Sequence, residues 1–312
     1  MRSVFLFVFA AAHYFCVAQA VDQRHEISIG GIRQAIWVKG TDAHKPLLLF
    51  LHGGPGNSVM SYADKFCDQL YEHFTVIQWD QRDVGATLNL NRSPIPLTLS
   101  VMQRDAELML DSLLIRFGRS KMYVVGHSWG TALGFHLVRT RAAQIEAFVA
   151  IGSMVNQQQS ERIALELMKA SAVTSNNLSK HKELMTVEIP FRDGQQLYIH
   201  RKSLLEYTRS RARLTREHVE QWSEKWLSLF NEASKENLFE TLPEVHCPVY
   251  IFAGRHDYQT NSVLAEQYFK SLKAPSKGFY WFEKAGHSIP STFGAKMQDI
   301  IIKQILNPPT GL

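Results

Sequence analysis

Six short runs of mainly apolar residues recur along this chain, with helix-like segments between most of them. The runs span residues 47–51, 74–79, 121–125, 147–151, 249–253 and 279–282. Strands with almost no polar positions are typical of sheets covered on both faces. When such strands alternate with helices, the crossover connections favour parallel pairing. The pattern therefore predicts an α/β fold, with a mostly parallel sheet flanked by helices.

Helical spacing of apolar residues fills the intervals between these runs. The predicted helices span residues 58–73, 100–117, 129–139, 262–272 and 293–305. Residues 27–38 are predicted to add antiparallel strands at one edge of the sheet, with Gly30 and Gly31 at the turn. The whole arrangement suits one large domain or a domain that carries an insertion.

The alternation of strands and helices stops between residues 155 and 245. This stretch is rich in Glu, Lys, Arg, Gln, Leu and Ser, with helical spacing at 161–170 and 218–230. It predicts a helical cap, or lid, inserted over the strand ends of a core formed by residues 21–154 and 246–312. A small separate domain with its own role is the alternative.

The first twenty residues have the pattern of a cleavable signal peptide. Arg2 precedes an apolar run at residues 4–12, and Ala18-Gln19-Ala20 offers a small-x-small cleavage site before Val21. A bilayer span needs roughly 20 apolar residues, so this run is too short for a stable membrane anchor. We expect residues 1–20 to be removed and the protein to be secreted or periplasmic; a retained anchor is the alternative.

Charge and cysteine content exclude some classes of protein and leave other questions open. The net charge of +5 is spread along the 312 residues, and no Lys/Arg run interleaved with aromatics predicts nucleic-acid binding. The densest basic segment, residues 201–216, suits the solvent-facing side of helices. After cleavage two cysteines remain, Cys67 and Cys247. The sequence leaves open whether they form a disulfide, and it leaves the oligomeric state open too.

A G-x-S-x-G motif at residues 126–130 carries the strongest chemical signal. It reads Gly-His-Ser-Trp-Gly, follows a predicted strand and precedes a predicted helix. In that context the glycines permit a sharp turn that presents the serine hydroxyl above the carboxyl edge of the sheet. Ser128 is therefore predicted to be a catalytic nucleophile.

A nucleophilic serine needs a base and an acid, and this fold type orders them Ser, acid, His along the chain. Asp257 follows the strand predicted at 249–253, and His287 follows the strand predicted at 279–282. We predict that His287 is the base and Asp257 the acid that orients it. Asp80 and Asp83 precede the serine, which is the wrong order. An ordinary turn aspartate is the alternative for Asp257.

The predicted mechanism also needs two backbone N–H groups to bind the oxyanion. One is expected from Trp129, the residue after the nucleophile, and the other from Gly54, with Gly53 as the alternative. These two glycines could instead serve only a tight turn. His127 and His256, which adjoin the serine and the acid, are predicted to be structural. No metal is predicted, because no ligand spacing such as H-E-x-x-H occurs.

Several motifs together resemble one family. They are His-Gly-Gly-Pro-Gly at 52–56, Trp-Asp-Gln-Arg at 79–82, Gly-His-Ser-Trp-Gly at 126–130, Gly-Arg-His-Asp at 254–257 and Gly-His at 286–287. The chain is similar to the prolyl aminopeptidase (proline iminopeptidase) branch of the α/β-hydrolases over residues 27–305, most strongly at the sheet. This resemblance implies the α/β-hydrolase fold with a helical cap, no cofactor, and cleavage of an N-terminal residue or of a small amide or ester.

The chain departs from that family at two places. Asp83 follows Asp-Gln-Arg where the family usually has glycine, and the Trp-x-x-Trp-Glu pattern that supplies cap glutamates is missing. Glu206, Glu220 and Glu224 are the candidates to bind a substrate ammonium. The alternative is that all three are solvent-facing helix residues.

The function predicted from these residues is acyl transfer by a serine hydrolase, and the resemblance implies release of N-terminal residues, of the proline type, from short peptides. An esterase, lactonase or amidase acting on small acyl substrates is the first alternative, because a fold does not fix a substrate. A hydrolase-fold protein that binds a ligand without turnover is the second. Epoxide hydrolase or dehalogenase chemistry would require aspartate in place of Ser128.

Overall fold

The computed structural model describes residues 19–308, and an eight-stranded sheet forms its centre. The strands are β1 Val21–Ile29, β2 Ile32–Gly40, β3 Leu47–Leu51, β4 Thr75–Trp79, β5 Met122–His127, β6 Ile145–Ile151, β7 Val249–Gly254 and β8 Lys277–Phe282. Their spatial order is β1-β2-β4-β3-β5-β6-β7-β8. β2 pairs antiparallel with β1 and with β4, and every other pair is parallel. The predicted mostly parallel sheet with antiparallel strands at one edge is therefore confirmed.

Helices cover both faces of this sheet. They are α1 Asp64–Cys67, α2 Gly85–Leu90, α3 Leu99–Phe117, α4 Trp129–Thr140, α5 Gln157–Thr174, α6 Leu178–Leu184, α7 Gly194–Tyr207, α8 Arg216–Ala233, α9 Leu238–Thr241, α10 Ser262–Ser271 and α11 Ile289–Ile300. A wider π-helical turn, Ile301–Leu306, continues the last of them. The long helix predicted at 58–73 was wrong: only the four residues of α1 and the short 3₁₀ turn Leu70–Glu72 are helical there.

Five helices, α5 to α9, lie between β6 and β7, where the sequence predicts an insertion. One of the two longest of them, α8, contacts the loop that follows β3. The Trp222 indole N–H donates to the Pro55 carbonyl at 2.8 Å, and a Cβ at Gly56 would lie 2.5 Å from Nε1 of Trp226. Because that loop borders Ser128, the inserted helices lie beside the predicted active site.

The apolar core is divided by the sheet into two clusters. Leu47, Leu49 and Leu51 of β3 point into one cluster, and Leu48 and Phe50 point into the other, as strand alternation requires. Both clusters are formed by side chains that are almost wholly buried.

Cys67 and Cys247 are both buried and both free, and they belong to different clusters of this core. Within residues 19–308, no helix has the length and apolar character needed to cross a membrane. Residues 1–18, which carry most of the predicted signal peptide, lie outside the described part of the chain, so that prediction stays a prediction.

Candidate active site

Ser128 lies on a sharp turn between β5 and α4, and its backbone is in the left-handed region with φ 54° and ψ −120°. The turn requires small neighbours. A Cβ at Gly130 would lie 2.1 Å from the Leu51 carbonyl oxygen, and one at Gly126 would lie 2.7 Å from the Gly130 carbonyl oxygen. A positive φ at a serine is strained and persists only where the surrounding structure holds it. The turn thus presents the serine hydroxyl at the carboxyl edge of the parallel strands.

The structure brings together Ser128, His287 and Asp257, which come from three separate parts of the chain. Oγ of Ser128 lies 2.9 Å from Nε2 of His287, and Nδ1 of His287 lies 2.9 Å from Oδ2 of Asp257. Asp257 follows β7 and His287 follows β8, so both side chains reach the serine from neighbouring strand ends. The hydroxyl, the imidazole and the carboxylate are hydrogen-bonded in that order, which is the arrangement needed for general-base activation of the hydroxyl.

Asp257 is held as a carboxylate by its surroundings. Burial alone would raise its pKa, but the His287 imidazole and hydrogen bonds to Thr260 outweigh burial and lower the pKa to about 2. Oδ1 accepts the backbone N–H groups of Gln259 and Thr260, and Oδ2 accepts the Thr260 hydroxyl as well as the imidazole. Four donors therefore fix the carboxylate, and through it the tautomer of His287. Sequence analysis missed Thr260, although its place three residues after an aspartate is typical of a local side-chain turn.

His127 supports the position of His287. Its Nε2 donates to the His287 backbone carbonyl at 3.1 Å, and the two rings lie 5.2 Å apart. Burial, with the nearby His287, lowers the pKa of His127 to about 4, so this imidazole is neutral at pH 7. Gly152, with φ +57°, leaves the space that the triad needs, since a Cβ there would lie 3.1 Å from the His287 ring.

The glycine loop after β3 borders the serine. A Cβ at Gly53 would lie 3.4 Å from Cβ of Ser128, and Gly53 and Gly54 both line the cavity that contains Ser128. Among the described residues, neither glycine donates its N–H to a hydrogen bond. Both N–H groups are therefore available to a ligand beside the serine.

The Trp-Asp-Gln-Arg motif forms the support beneath this loop. The Gln81 side chain accepts the Trp129 indole N–H at 2.9 Å, and its amide donates to the His52 carbonyl at 3.3 Å. Arg82 is wholly buried and forms two hydrogen bonds with Asp105, at 2.7 and 2.9 Å. This motif therefore positions the nucleophile turn and the glycine loop relative to each other and does not itself line the cavity.

Asp83, which stands where the family usually has glycine, has a left-handed backbone with φ 60°. Its side chain lies 3.2 Å from Nζ of Lys225, and the same ammonium donates to the Asp83 carbonyl at 3.1 Å. Lys225 belongs to α8, so this substitution gives the inserted helices an added contact with the core.

Two cavities meet at His287. The first, of about 240 Å³, contains Ser128 and His287 and is lined by the glycine loop, Tyr62 and Phe66 among other residues. The second, of about 500 Å³, lies between the inserted helices and the His287 loop. Among residues 19–308, Asp257 is the only one with a carboxylate that lines either cavity.

The three glutamates predicted to bind a substrate ammonium are not brought to the triad. Glu206 pairs with Lys180 at 2.9 Å, Glu220 lies 3.8 Å from Arg216, and none of Glu206, Glu220 and Glu224 lines either of the two cavities. The reason is that the helix faces that carry these glutamates point to solvent and not towards the cavities. In α8 the apolar side, with Trp226 and Phe230, packs inward, so Glu220 and Glu224 are exposed to solvent.

Comparison with known proteins gives a consistent family. The model of the family described as serine aminopeptidase, S33, matches residues 42–291, a range that contains all three triad residues. The probable aminopeptidase YbaC of Bacillus subtilis (strain 168) is 28% identical over 292 residues, which span 84% of this chain and 90% of that protein. A proline iminopeptidase of Heyndrickxia coagulans is 23% identical over 250 residues, which span 77% of this chain and 83% of the relative.

Solved structures share the fold at lower identity. A proline iminopeptidase from Mycobacterium smegmatis superposes with a TM-score of 0.64 at 18% identity, covering 90% of this chain and 98% of its own. At this level of identity the likeness concerns the fold.

Proposed function

The chain belongs to the serine aminopeptidase family S33 of the α/β-hydrolases, and we propose that it is a serine hydrolase that releases N-terminal residues from short peptides through an acyl-enzyme. One observation carries the chemical part of this proposal. Ser128, on its strained turn, is hydrogen-bonded to His287, and His287 to Asp257, at 2.9 Å each.

In the proposed mechanism, Ser128 attacks the substrate carbonyl while Nε2 of His287 takes the hydroxyl proton. Asp257 keeps the proton of the neutral imidazole on Nδ1 and stabilises the imidazolium that forms. The backbone N–H groups of Trp129 and Gly54, or Gly53 in its place, bind the oxyanion. The C–N bond then breaks, and the leaving amine takes the proton from His287. Water, deprotonated by the same imidazole, hydrolyses the ester and restores Ser128.

The family and the aminopeptidase relatives support a peptide substrate with a free N-terminus. A second candidate, an esterase or amidase of small acyl substrates, is favoured by the lining of the two cavities. An ammonium that loses water needs a partner, and Asp257, the only carboxylate that the described residues place in these cavities, already accepts four hydrogen bonds.

One set of substrates separates these candidates. Prolyl and alanyl p-nitroanilides would be compared with their N-acetyl forms and with p-nitrophenyl esters, on wild type and on Ser128→Ala. An aminopeptidase should lose at least about 30-fold in kcat/KM when the amine is acetylated, because a recognised charge is removed. Equal turnover of free and acetylated substrates would discard the aminopeptidase and retain the esterase or amidase. Turnover by Ser128→Ala at the wild-type rate would discard both.

We further propose that residues 1–20 are removed during export and that the mature protein is secreted or periplasmic. The Ala18-Gln19-Ala20 site supports this. N-terminal sequencing of protein recovered from its native host should begin at Val21. A cytoplasmic protein that starts at Met1 would contradict the proposal.

A further inference from the structure

The second cavity borders His287 but not the glycine loop. It is lined by the segment between α7 and α8, by the loop before His287 and by Tyr258. It shares Gln259, His287 and Ser288 with the first cavity, but it includes neither Ser128 nor Gly53 or Gly54. A substrate bound at the serine would therefore reach it beside these three shared residues.

The charged groups of this cavity are mainly cationic, and two of the charges are already compensated. Arg201 lies 2.5 and 2.6 Å from the two carboxylate oxygens of the buried Glu161. Asp257 is committed to His287 and to its own loop. These groups therefore leave little charge for a ligand.

Arg213 and Lys284 are different. Both line the cavity and are exposed, and no carboxylate lies within 4.0 Å of either among residues 19–308. Arg213 comes from the inserted segment and Lys284 from the loop before His287, so one cation belongs to the cap and the other to the core. A concave surface lined by one sign of charge attracts ligands of the other sign.

The cavity itself is held in place by hydrogen bonds. The Gln157 amide donates to the Gln259 backbone carbonyl at 2.9 Å and to Glu161 at 2.7 Å, so the Glu161–Arg201 pair is tied to the residue that separates the two cavities. The basic cavity and the triad are thus parts of one connected arrangement.

The second cavity lies where the leaving group of the substrate would be expected. The leaving atom takes its proton from Nε2 of His287, so the part of the substrate beyond the scissile bond must pass close to the imidazole. We infer that the second cavity is a leaving-group subsite in which Arg213 and Lys284 bind a carboxylate, such as the C-terminal carboxylate of a short peptide. This inference rests on the proposed acyl-enzyme mechanism and holds for a peptide or an ester.

Two matched pairs of substrates test it. Alanyl-alanine would be compared with alanyl-alaninamide, and the acetate ester of 4-hydroxybenzoate with that of 4-hydroxybenzamide, since the members of each pair differ chiefly in the charge of the leaving group. Wild type should favour the carboxylate about tenfold in kcat/KM, and Arg213→Ala or Lys284→Ala should each remove roughly three- to fivefold of that preference. Raising the ionic strength from about 0.02 to about 1 M should weaken it too, because salt screens exposed charges.

Arg211→Ala is the matched control, since Arg211 is an exposed arginine of the same segment that does not line the cavity; its preference should equal that of wild type. Absence of a carboxylate preference in wild type would overturn the inference, as would a preference that survives in the Arg213→Ala/Lys284→Ala protein.

A binding measurement keeps the two proposals distinguishable. Calorimetry with Ser128→Ala, which needs no turnover, should give tighter binding of alanyl-alanine than of its amide, and the difference should vanish when Arg213 and Lys284 are replaced. Equal affinities would overturn the carboxylate subsite even if the enzyme is an active hydrolase. Unequal affinities in a protein whose turnover does not depend on Ser128 would retain the carboxylate-binding subsite and remove the proposed mechanism.

Discussion

Asp257 is fixed by local hydrogen bonds and in turn orients the proposed base, His287. Its four donors leave the carboxylate no freedom to rotate, and one of them is the imidazole that faces Ser128. A base oriented in this way is ready to accept the hydroxyl proton without rearrangement.

Replacing Asp257 by asparagine should lower kcat by roughly 10³- to 10⁴-fold, as the equivalent change does in serine proteases. The amide NH₂ group would face Nδ1 and stabilise the tautomer in which Nε2 carries the proton and cannot accept another. Steady-state kinetics at pH 7–8 would measure the loss, with thermal unfolding as the check that Asp257→Asn is folded. A folded Asp257→Asn protein that retains wild-type kcat would remove Asp257 from the mechanism.

His200 is a buried residue whose titration should control stability. Burial lowers its pKa to about 4, and its Nε2–H donates to the Glu161 backbone carbonyl at 3.2 Å while Arg201 donates to Nδ1 at 3.0 Å. The neutral imidazole is thus the form that fits between these two residues.

Because the pKa of His200 is lower in the folded than in the unfolded protein, acid favours unfolding. Its contribution is fully present above the unfolded value of 6.5 and is lost as the pH falls towards 4. From pH 7 to pH 5 wild type should therefore lose about 2 kcal/mol more unfolding free energy than His200→Gln. Urea unfolding at both pH values measures this, and parallel losses in the two proteins would contradict it.

At the scale of elements, the contact between α8 and the glycine loop determines how the inserted helices sit on the core. The Trp222 hydrogen bond, the Trp226 contact and the Lys225–Asp83 pair all fall within two turns of α8. Close approach at Trp226 depends on the missing side chain of Gly56, whose φ is +92°.

Gly56→Ala should destabilise the protein by about 1–3 kcal/mol more than Gly31→Ala does. Gly31 is the control because its φ is also positive, +78°, while a Cβ there meets nothing within 4 Å; the added Cβ at Gly56 would lie 2.5 Å from the Trp226 indole. The comparison, by urea unfolding, thus isolates the clash from the backbone strain. Equal destabilisation by the two changes would show that α8 is free to move away from the loop.

At the scale of the whole molecule, the sheet separates the two cysteines. Cys67 packs with Phe66 on one face and Cys247 with the cluster on the other, and both are at most 1% exposed. Burial raises the pKa of both thiols, that of Cys247 to about 12. We therefore expect neither thiol to react in the folded protein.

A reducing agent should accordingly leave the Tm unchanged within about 1 °C, whereas loss of a disulfide would cost about 2–5 kcal/mol. In the native protein Cys67 and Cys247 should not react with a thiol reagent, while an added Ser120→Cys, at an exposed position, should react at once. A fall in Tm on reduction that disappears in the Cys67→Ser/Cys247→Ser protein would show that the two residues are bonded.

The sequence by itself determined the strands of the sheet and which serine, aspartate and histidine meet at its carboxyl edge. The run at residues 47–51 matches β3 residue for residue, and 249–253 falls short of β7 by one residue, because strands covered on both faces must be apolar at nearly every position. The G-x-S-x-G turn was equally readable, since only glycine fits at 126 and 130. In both cases the requirement, burial of a strand or space for a sharp turn, applies to consecutive residues and can therefore be recognised in the sequence.

Only the tertiary structure decided which polar groups reach the cavities. Glu224 and Arg213 both lie in charged, helix-rich sequence, yet only Arg213 lines a cavity beside His287. The helix predicted at residues 58–73 was wrong for a related reason. The apolar residues of that segment pack into the core, but a series of turns, and not one helix, brings them there. A charged side chain is equally well solvated at any exposed position of a segment. Whether it faces a cavity therefore depends on how that segment packs against the rest of the chain, which the local sequence pattern does not specify.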